Sequence, residues 1–175
     1  SGELDMKKFA RMAVLAAAAT IVATPAAAVG PVTQQATSRA KILKALNLRK
    51  DADLDFGTIV IGGVVGTETV TVSQSGRTCG SAGQLTCSTT DPFSAAKFNI
   101  QGSNNQLVNI TVPDTVTMSN GAAGSLVVDL TAPASVTLTS SGVPGDDFYI
   151  EGSVDLAATT PEGDYTVDFD VTVEY

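Results

Sequence analysis

The last eleven residues of the chain alternate without a fault. Tyr165, Val167, Phe169, Val171, Val173 and Tyr175 share one parity, and Thr166, Asp168, Asp170, Thr172 and Glu174 share the other. Successive side chains of a strand point to opposite faces, so this pattern predicts a half-buried β-strand, opened by Gly163 after Pro161-Glu162. The same period recurs upstream. Phe98 and Ile100 share a face, as do Leu126, Val128 and Leu130, and as do Phe148, Ile150, Gly152, Val154 and Leu156. Gly102-Ser103-Asn104-Asn105, Pro113 and Asn120-Gly121 punctuate these runs as turns. Gly57, inside the run Leu54 to Ile61, marks a bulge or a tight backbone approach. Some eight or nine short strands separated by turn signals predict an all-β chain folded as a β-sandwich. Only Thr37 to Leu48 also fits a short helix, and the extended register of Asp51 to Phe56 beyond it favours strand.

The front of the chain has a different character. Lys7, Lys8 and Arg11 precede an apolar run from Met12 to Ala23, and Pro25 and Ala26-Ala27-Ala28 follow. These are the marks of a secretory signal peptide, with cleavage expected after Ala28. Ser1 to Asp5 precede Met6, the expected natural start, and read as a non-native remnant or an extended start. The apolar run is too short for a confident membrane span, so the expected membrane contact is the signal peptide alone. The expected organisation is a leader over 1–28 (signal peptide 6–28), an N-terminal extension over 29–48 and a β-sandwich domain over 49–175. Removing 28 of the 175 residues leaves 147, enough for one domain with a real core.

Charge is distributed unevenly. Arg39, Lys41, Lys44, Arg49 and Lys50 cluster in a short basic stretch, whereas the chain from Asp51 onward holds 2 basic and 16 acidic residues. An acidic body repels phosphate backbones, so no nucleic-acid partner is expected. The basic stretch is either a solvated strand face or a contact for the acidic face of a neighbouring copy.

Cys79 and Cys87 are the only cysteines and flank a turn-rich loop. In an exported chain, that spacing predicts a disulfide. The chain has no histidine and no tryptophan. The first absence removes histidine-based triads and the commonest metal ligand, and the second removes the strongest sugar-stacking side chain. Asp51-Ala52-Asp53-Leu54-Asp55 has the spacing of a calcium loop but lacks its glycine and its closing glutamate. The pairs Asp146-Asp147 and Glu162/Asp164 offer carboxylates for glycoside hydrolysis but sit beside glycine and proline turns. The expectation is a non-enzymatic protein with no catalytic residue, metal or cofactor.

The closing Pro161-Glu162-Gly163-Asp164-Tyr165, followed by Val171-Thr172-Val173-Glu174-Tyr175, resembles the end of spore-coat-protein-U-like domains. Those in turn resemble the pilins of the archaic chaperone–usher pathway. Leu54-Asp55-Phe56-Gly57 is similar to a segment that follows the first strand of those proteins. Ala96 to Gly102, then Ile110-Thr111-Val112-Pro113, looks like a related, functionally uncharacterised family of small secreted bacterial β-domains.

The resemblance implies an incomplete immunoglobulin-like sandwich. Its groove is filled first by a periplasmic chaperone and then, at an outer-membrane usher, by the N-terminal extension of the next identical or related subunit. Strand addition of this kind supplies ladder hydrogen bonds and pockets for alternate side chains. It would make Val32, Ala36, Ala40, Ile42, Leu46 and Leu48 the donated side chains. The groove edge would be the strand carrying Tyr165, Val167, Phe169, Val171, Val173 and Tyr175. The implied function is a subunit of an extracellular pilus or fibre serving adhesion or biofilm scaffolding, at the cell surface and reached through the periplasm. Two departures stand against this: residues 29–38 are weakly hydrophobic for a donor, and the cysteine pair lies between strands rather than tying the first. The alternative is a closed, monomeric secreted module that binds a carbohydrate or surface ligand through its turns.

Overall fold

The computed structural model describes residues 30–175 other than Ala82, Ala122 and Ala123. The signal peptide expected over 6–28 lies outside the described residues. Residues 30–39 form neither helix nor strand. The compact unit runs from Ala40 to Tyr175, so the boundary expected at residue 49 falls inside its first strand.

Among the described residues the unit is all-β. Its strands are β1 Asn47–Ala52, β2 Ile59–Ile61, β3 Thr67–Ser73, β4 Gly76–Cys79, β5 Leu85–Cys87, β6 Ala96–Gln101, β7 Leu107–Thr111, β8 Thr115–Ser119, β9 Ser125–Thr131, β10 Ser135–Thr137, β11 Asp146–Ala157 and β12 Thr172–Glu174. Every pairing is antiparallel. The large sheet holds β1, β6, β11, β3 and β4 in that order, with β9 also on β11 and β8 on β9. A smaller sheet has the order β10-β7-β12, and β2 pairs with β5.

β11 is the spine. It pairs with β6 through Asp146–Ile150, with β9 through Glu151–Val154 and with β3 through Gly152–Ala157. Its alternation buries Phe148, Ile150, Val154 and Leu156 on one face. Opposite them in the core are Val108 and Ile110 of β7, together with Leu138, and one continuous cluster joins the sheets as a β-sandwich. Phe98 and Phe148 are register partners on β6 and β11, and their rings stack at 5.5 Å between centroids. A cross-strand aromatic pair of this kind adds roughly 0.5–1.5 kcal/mol beyond its buried area.

Two segments depart from the sequence expectation. The run Leu54 to Ile61 is strand only over β2. Asp55 makes an isolated bridge to Ser94, and Gly57, at φ +67°, breaks the extended path between them. The final stretch keeps its alternating burial, with Phe169, Val171 and Val173 half-buried against the core, but forms a ladder only at β12. Thr166 bridges Ser119 of β8, and residues 167–171 join no backbone hydrogen bond among the described residues. Alternation reports which side of a strand is covered. It carries no information on whether the strand's edges find partners.

Candidate functional site

The first and last segments of the unit meet at Tyr175, and among the described residues no strand pairs with both of them. The Tyr175 hydroxyl donates to the Lys44 carbonyl at 2.6 Å. Further along, Lys50 is raised first by its bond to Asp53 and least by the charge of Asp168. Beyond that, Leu54–Ile61 and Thr160–Thr166 form the two walls of an open groove of about 860 Å³. At its base lie Met118 of β8 and Leu126 of β9, both half-buried, and the buried Val154 and Leu156 of β11. Its charged lining residues are Asp55, Asp91, Glu162 and Asp164, all acidic.

The first wall is braced from behind. Asp55 and Ser94 exchange backbone bonds of 2.8 and 2.9 Å. Arg77 donates through Nη1 to the Phe56 carbonyl at 2.6 Å and through Nη2 to the Ser88 carbonyl. Its guanidinium lies over the Phe93 ring, 4.6 Å from the centroid. A Cβ on Gly57 would stand 2.5 Å from Arg77 Nη1 and 2.9 Å from the Pro92 carbonyl oxygen. Glycine is therefore required there by conformation and by space together. Leu54 and Phe56 rest on Gly152 of β11, where a Cβ would come within 2.7 Å of Leu54 Cδ2. The Cys79–Cys87 disulfide is formed, with the two Cα atoms 6.0 Å apart. It joins β4 to β5, and β5 carries β2 by pairing, so it fixes the far end of this wall.

The second wall is pinned by side chains. The Tyr165 hydroxyl donates to the Pro161 carbonyl at 2.7 Å, and its ring stands where a side chain on Gly124 would be. Asn120 Nδ2 donates to the Glu162 carbonyl at 3.3 Å. Thr166 and Ser119 exchange backbone bonds of 3.1 and 3.2 Å.

The residues expected to donate a strand fall into three groups. Val32 and Ala36 lie within residues 30–39. Ala40 and Ile42 precede β1, and Ile42 is 90% exposed. Leu46 and Leu48 belong to the body itself: Leu48 is the register partner of Ile100, and Leu46 packs onto Gly102 beside Tyr175 and Leu138. Of the expected groove-edge residues, Tyr165 lines the groove, Val167 is 38% exposed, and Phe169, Val171 and Val173 turn toward the core. Tyr175 closes the far end.

Asp146, Asp147 and the three aspartates of 51–55 are each held by a neighbouring group. Asp146 accepts from the Thr139 amide at 2.9 Å and hydroxyl at 2.6 Å. Asp147 accepts from Asn99 Nδ2 at 2.7 Å and pairs with Lys97 at 2.7 Å. The Asn99 hydrogen bond, and then that of Lys97, hold its carboxyl below the usual range. Asp51 pairs with Arg49, Asp53 with Lys50, and Asp55 accepts from the Gly57 amide at 2.7 Å.

Sequence reasoning missed Arg77 and the groove floor. Arg77 carried a signal, as one of two basic residues beyond Asp51. The floor carried none, because Val154 and Leu156 read as ordinary core.

No curated protein and no solved structure matches the chain. One family model does, over residues 46–175, a span from the root of β1 to Tyr175 that includes both walls and the floor of the groove. The chain belongs to that family, described as a domain of unknown function, DUF4402.

Proposed function

We propose that the protein is an exported, non-enzymatic structural subunit of an extracellular pilus or fibre. It has an immunoglobulin-like sandwich akin to the spore-coat-protein-U-like domains and archaic chaperone–usher pilins, and it assembles by strand addition for adhesion or biofilm scaffolding. One observation carries the reading. An open groove lies between residues 54–61 and 160–166, and the stretch just beyond its second wall, residues 167–171, lies outside every backbone ladder among the described residues. A strand laid along that stretch supplies ladder bonds to an edge that has none.

Burial is the driving term, at about 25 cal/mol per Å² of apolar surface removed from water. An uncovered edge of this kind is an aggregation hazard. The resemblance implies what covers that edge before assembly: a periplasmic chaperone, exchanged at an outer-membrane usher. Leu46 and Leu48 are used by the body's own packing, so the donor narrows to residues 29–42.

The test compares, by size-exclusion chromatography, the chain starting at Val29 with the same chain lacking residues 29–42. Oligomers from the first and monomers from the second are expected. Monomers from both would set the reading aside in favour of the secreted binding module.

A further inference from the structure

Asn120-Gly121 is the only Asn-Gly step in the chain. It follows β8, and Gly121 is exposed at φ +78°. An asparagine followed by glycine carries its own nucleophile. The Gly121 nitrogen closes a five-membered ring when it bonds Asn120 Cγ, and the missing Cβ of Gly121 leaves that approach open. Each reacting atom is already in a hydrogen bond. The Gly121 amide donates to Ser119 Oγ at 3.1 Å, Asn120 Oδ1 accepts from the Gly124 amide at 2.9 Å, and Asn120 Nδ2 donates to the Glu162 carbonyl at 3.3 Å.

We propose that Asn120 is a self-modification site, that the second groove wall governs its reaction, and that the reaction unlatches the wall. The Gly121 nitrogen attacks Asn120 Cγ and forms the new N–C bond. The Cγ–Nδ2 bond breaks, and Nδ2 leaves as ammonia with the proton that Gly121 gave up. Water then opens the succinimide at either carbonyl, leaving aspartate or isoaspartate at position 120. No electron changes hands.

The wall controls the step because attack comes at the face of the side-chain amide. The bonds to Gly124 and Glu162 fix the plane of that amide. Space fixes it further, since a Cβ on Gly163 would stand 3.1 Å from Asn120 Nδ2 and one on Gly124 would stand 2.8 Å from it. Asn120 therefore closes the ring only when residues 160–166 lift from the end of β8. The Tyr165 hydroxyl on the Pro161 carbonyl and the Thr166–Ser119 bridge hold them down. The product cannot restore the closed state. An ionised carboxylate has no proton to donate to the Glu162 carbonyl, and its charge has the sign of Glu162 and Asp164 on the same wall. Isoaspartate also lengthens the main chain by one atom beside the Ser119–Thr166 bridge. An opening of the wall is thereby recorded and not reversed, in a fibre subunit and in a monomeric binding module alike.

The experiment incubates the chain starting at Val29 in mildly alkaline buffer, native and in urea. It follows isoaspartate by enzymatic methyl transfer and deamidation by the mass of the peptide that contains residue 120. Reaction in urea should be at least about tenfold faster than in the native chain, where it waits on local opening. Tyr165→Phe keeps the ring and lets go of Pro161. It should speed the native reaction roughly three- to tenfold, the factor one hydrogen bond sets on an opening equilibrium, and leave the rate in urea unchanged. N120D, the product state, should exchange amide hydrogens at 160–166 faster than the wild type while β11 exchanges as before. Native and unfolded chains that react at one rate, or a Tyr165→Phe chain no faster than the wild type, would overturn control by the wall. No product at residue 120 in urea would overturn the site itself. Wild-type exchange at 160–166 in N120D would overturn the unlatching.

Discussion

The Tyr175 hydroxyl bridges two distant parts of the chain. It donates to the Lys44 carbonyl at 2.6 Å and accepts from the Ser103 amide at 2.8 Å. The ring reaches them by crossing Gly102, where a Cβ would lie 2.5 Å from the hydroxyl and 2.7 Å from Leu46 Cδ2. The last residue thereby fixes the point at which the N-terminal arm leaves the body.

Tyr175→Phe removes both hydrogen bonds and keeps the ring. A loss of about 1–2 kcal/mol is expected in urea unfolding. Gly102→Ala forces Leu46 and Tyr175 off their seats and should cost about 1–3 kcal/mol. In both variants, limited proteolysis should cut between Ala40 and Leu46 faster than in the wild type.

Arg77 braces the groove wall through two carbonyls. Arg77→Met keeps the aliphatic stem but leaves the Phe56 and Ser88 carbonyls without that donor. A loss of about 2–3 kcal/mol is expected. Gly57→Ala adds a Cβ against Arg77 and the Pro92 carbonyl at a positive φ and should cost a similar amount, about 1–3 kcal/mol. Thermal melts of the two variants and of the double variant should show non-additivity, since both act on one contact.

Replacing Cys79 and Cys87 together by alanine removes a bridge between positions eight apart. A closed loop of that size is worth roughly 2.5 kcal/mol. The wall formed by β2 and β5 should then show faster hydrogen exchange than β11.

Asp147 gives a pH dependence with a definite sign. Its carboxyl is held below the ordinary range by Asn99 and then by Lys97. The folded state therefore binds that proton less readily than the unfolded state. The stabilisation is complete above the unfolded value of about 4 and is lost as pH falls through the lower folded value. Lys97 is raised by its bond to Asp147, so its contribution is complete below about 10.4 and is lost as pH rises through the folded value. Asp147→Asn should flatten the acid limb of a stability–pH curve measured by urea midpoints, and Lys97→Met the alkaline limb.

Much of the sandwich was legible because burial on one face writes a period of two. Phe148 to Leu156 announces the spine of the large sheet, and Leu126 to Leu130 announces β9. The two cysteines announce their bridge through their spacing. What was not legible is pairing. Leu46 reads as part of a strand, yet it packs against Gly102 and Tyr175 before β1 begins. Val167 to Val171 read as a strand, yet they lie outside every ladder. The groove escaped for the same reason: its walls come from segments about a hundred residues apart, and Val154 and Leu156 at its base are buried core like their neighbours.

The most direct measurement is hydrogen exchange at residues 167–171, read separately in the monomeric and assembled fractions of the chain starting at Val29. The account predicts fast exchange in the monomer, where these amides have no ladder partner, and strong protection after assembly, when a second copy's arm pairs with them. Assembled protein whose 167–171 amides exchange as fast as the monomer's, or a chain that never assembles, would contradict it.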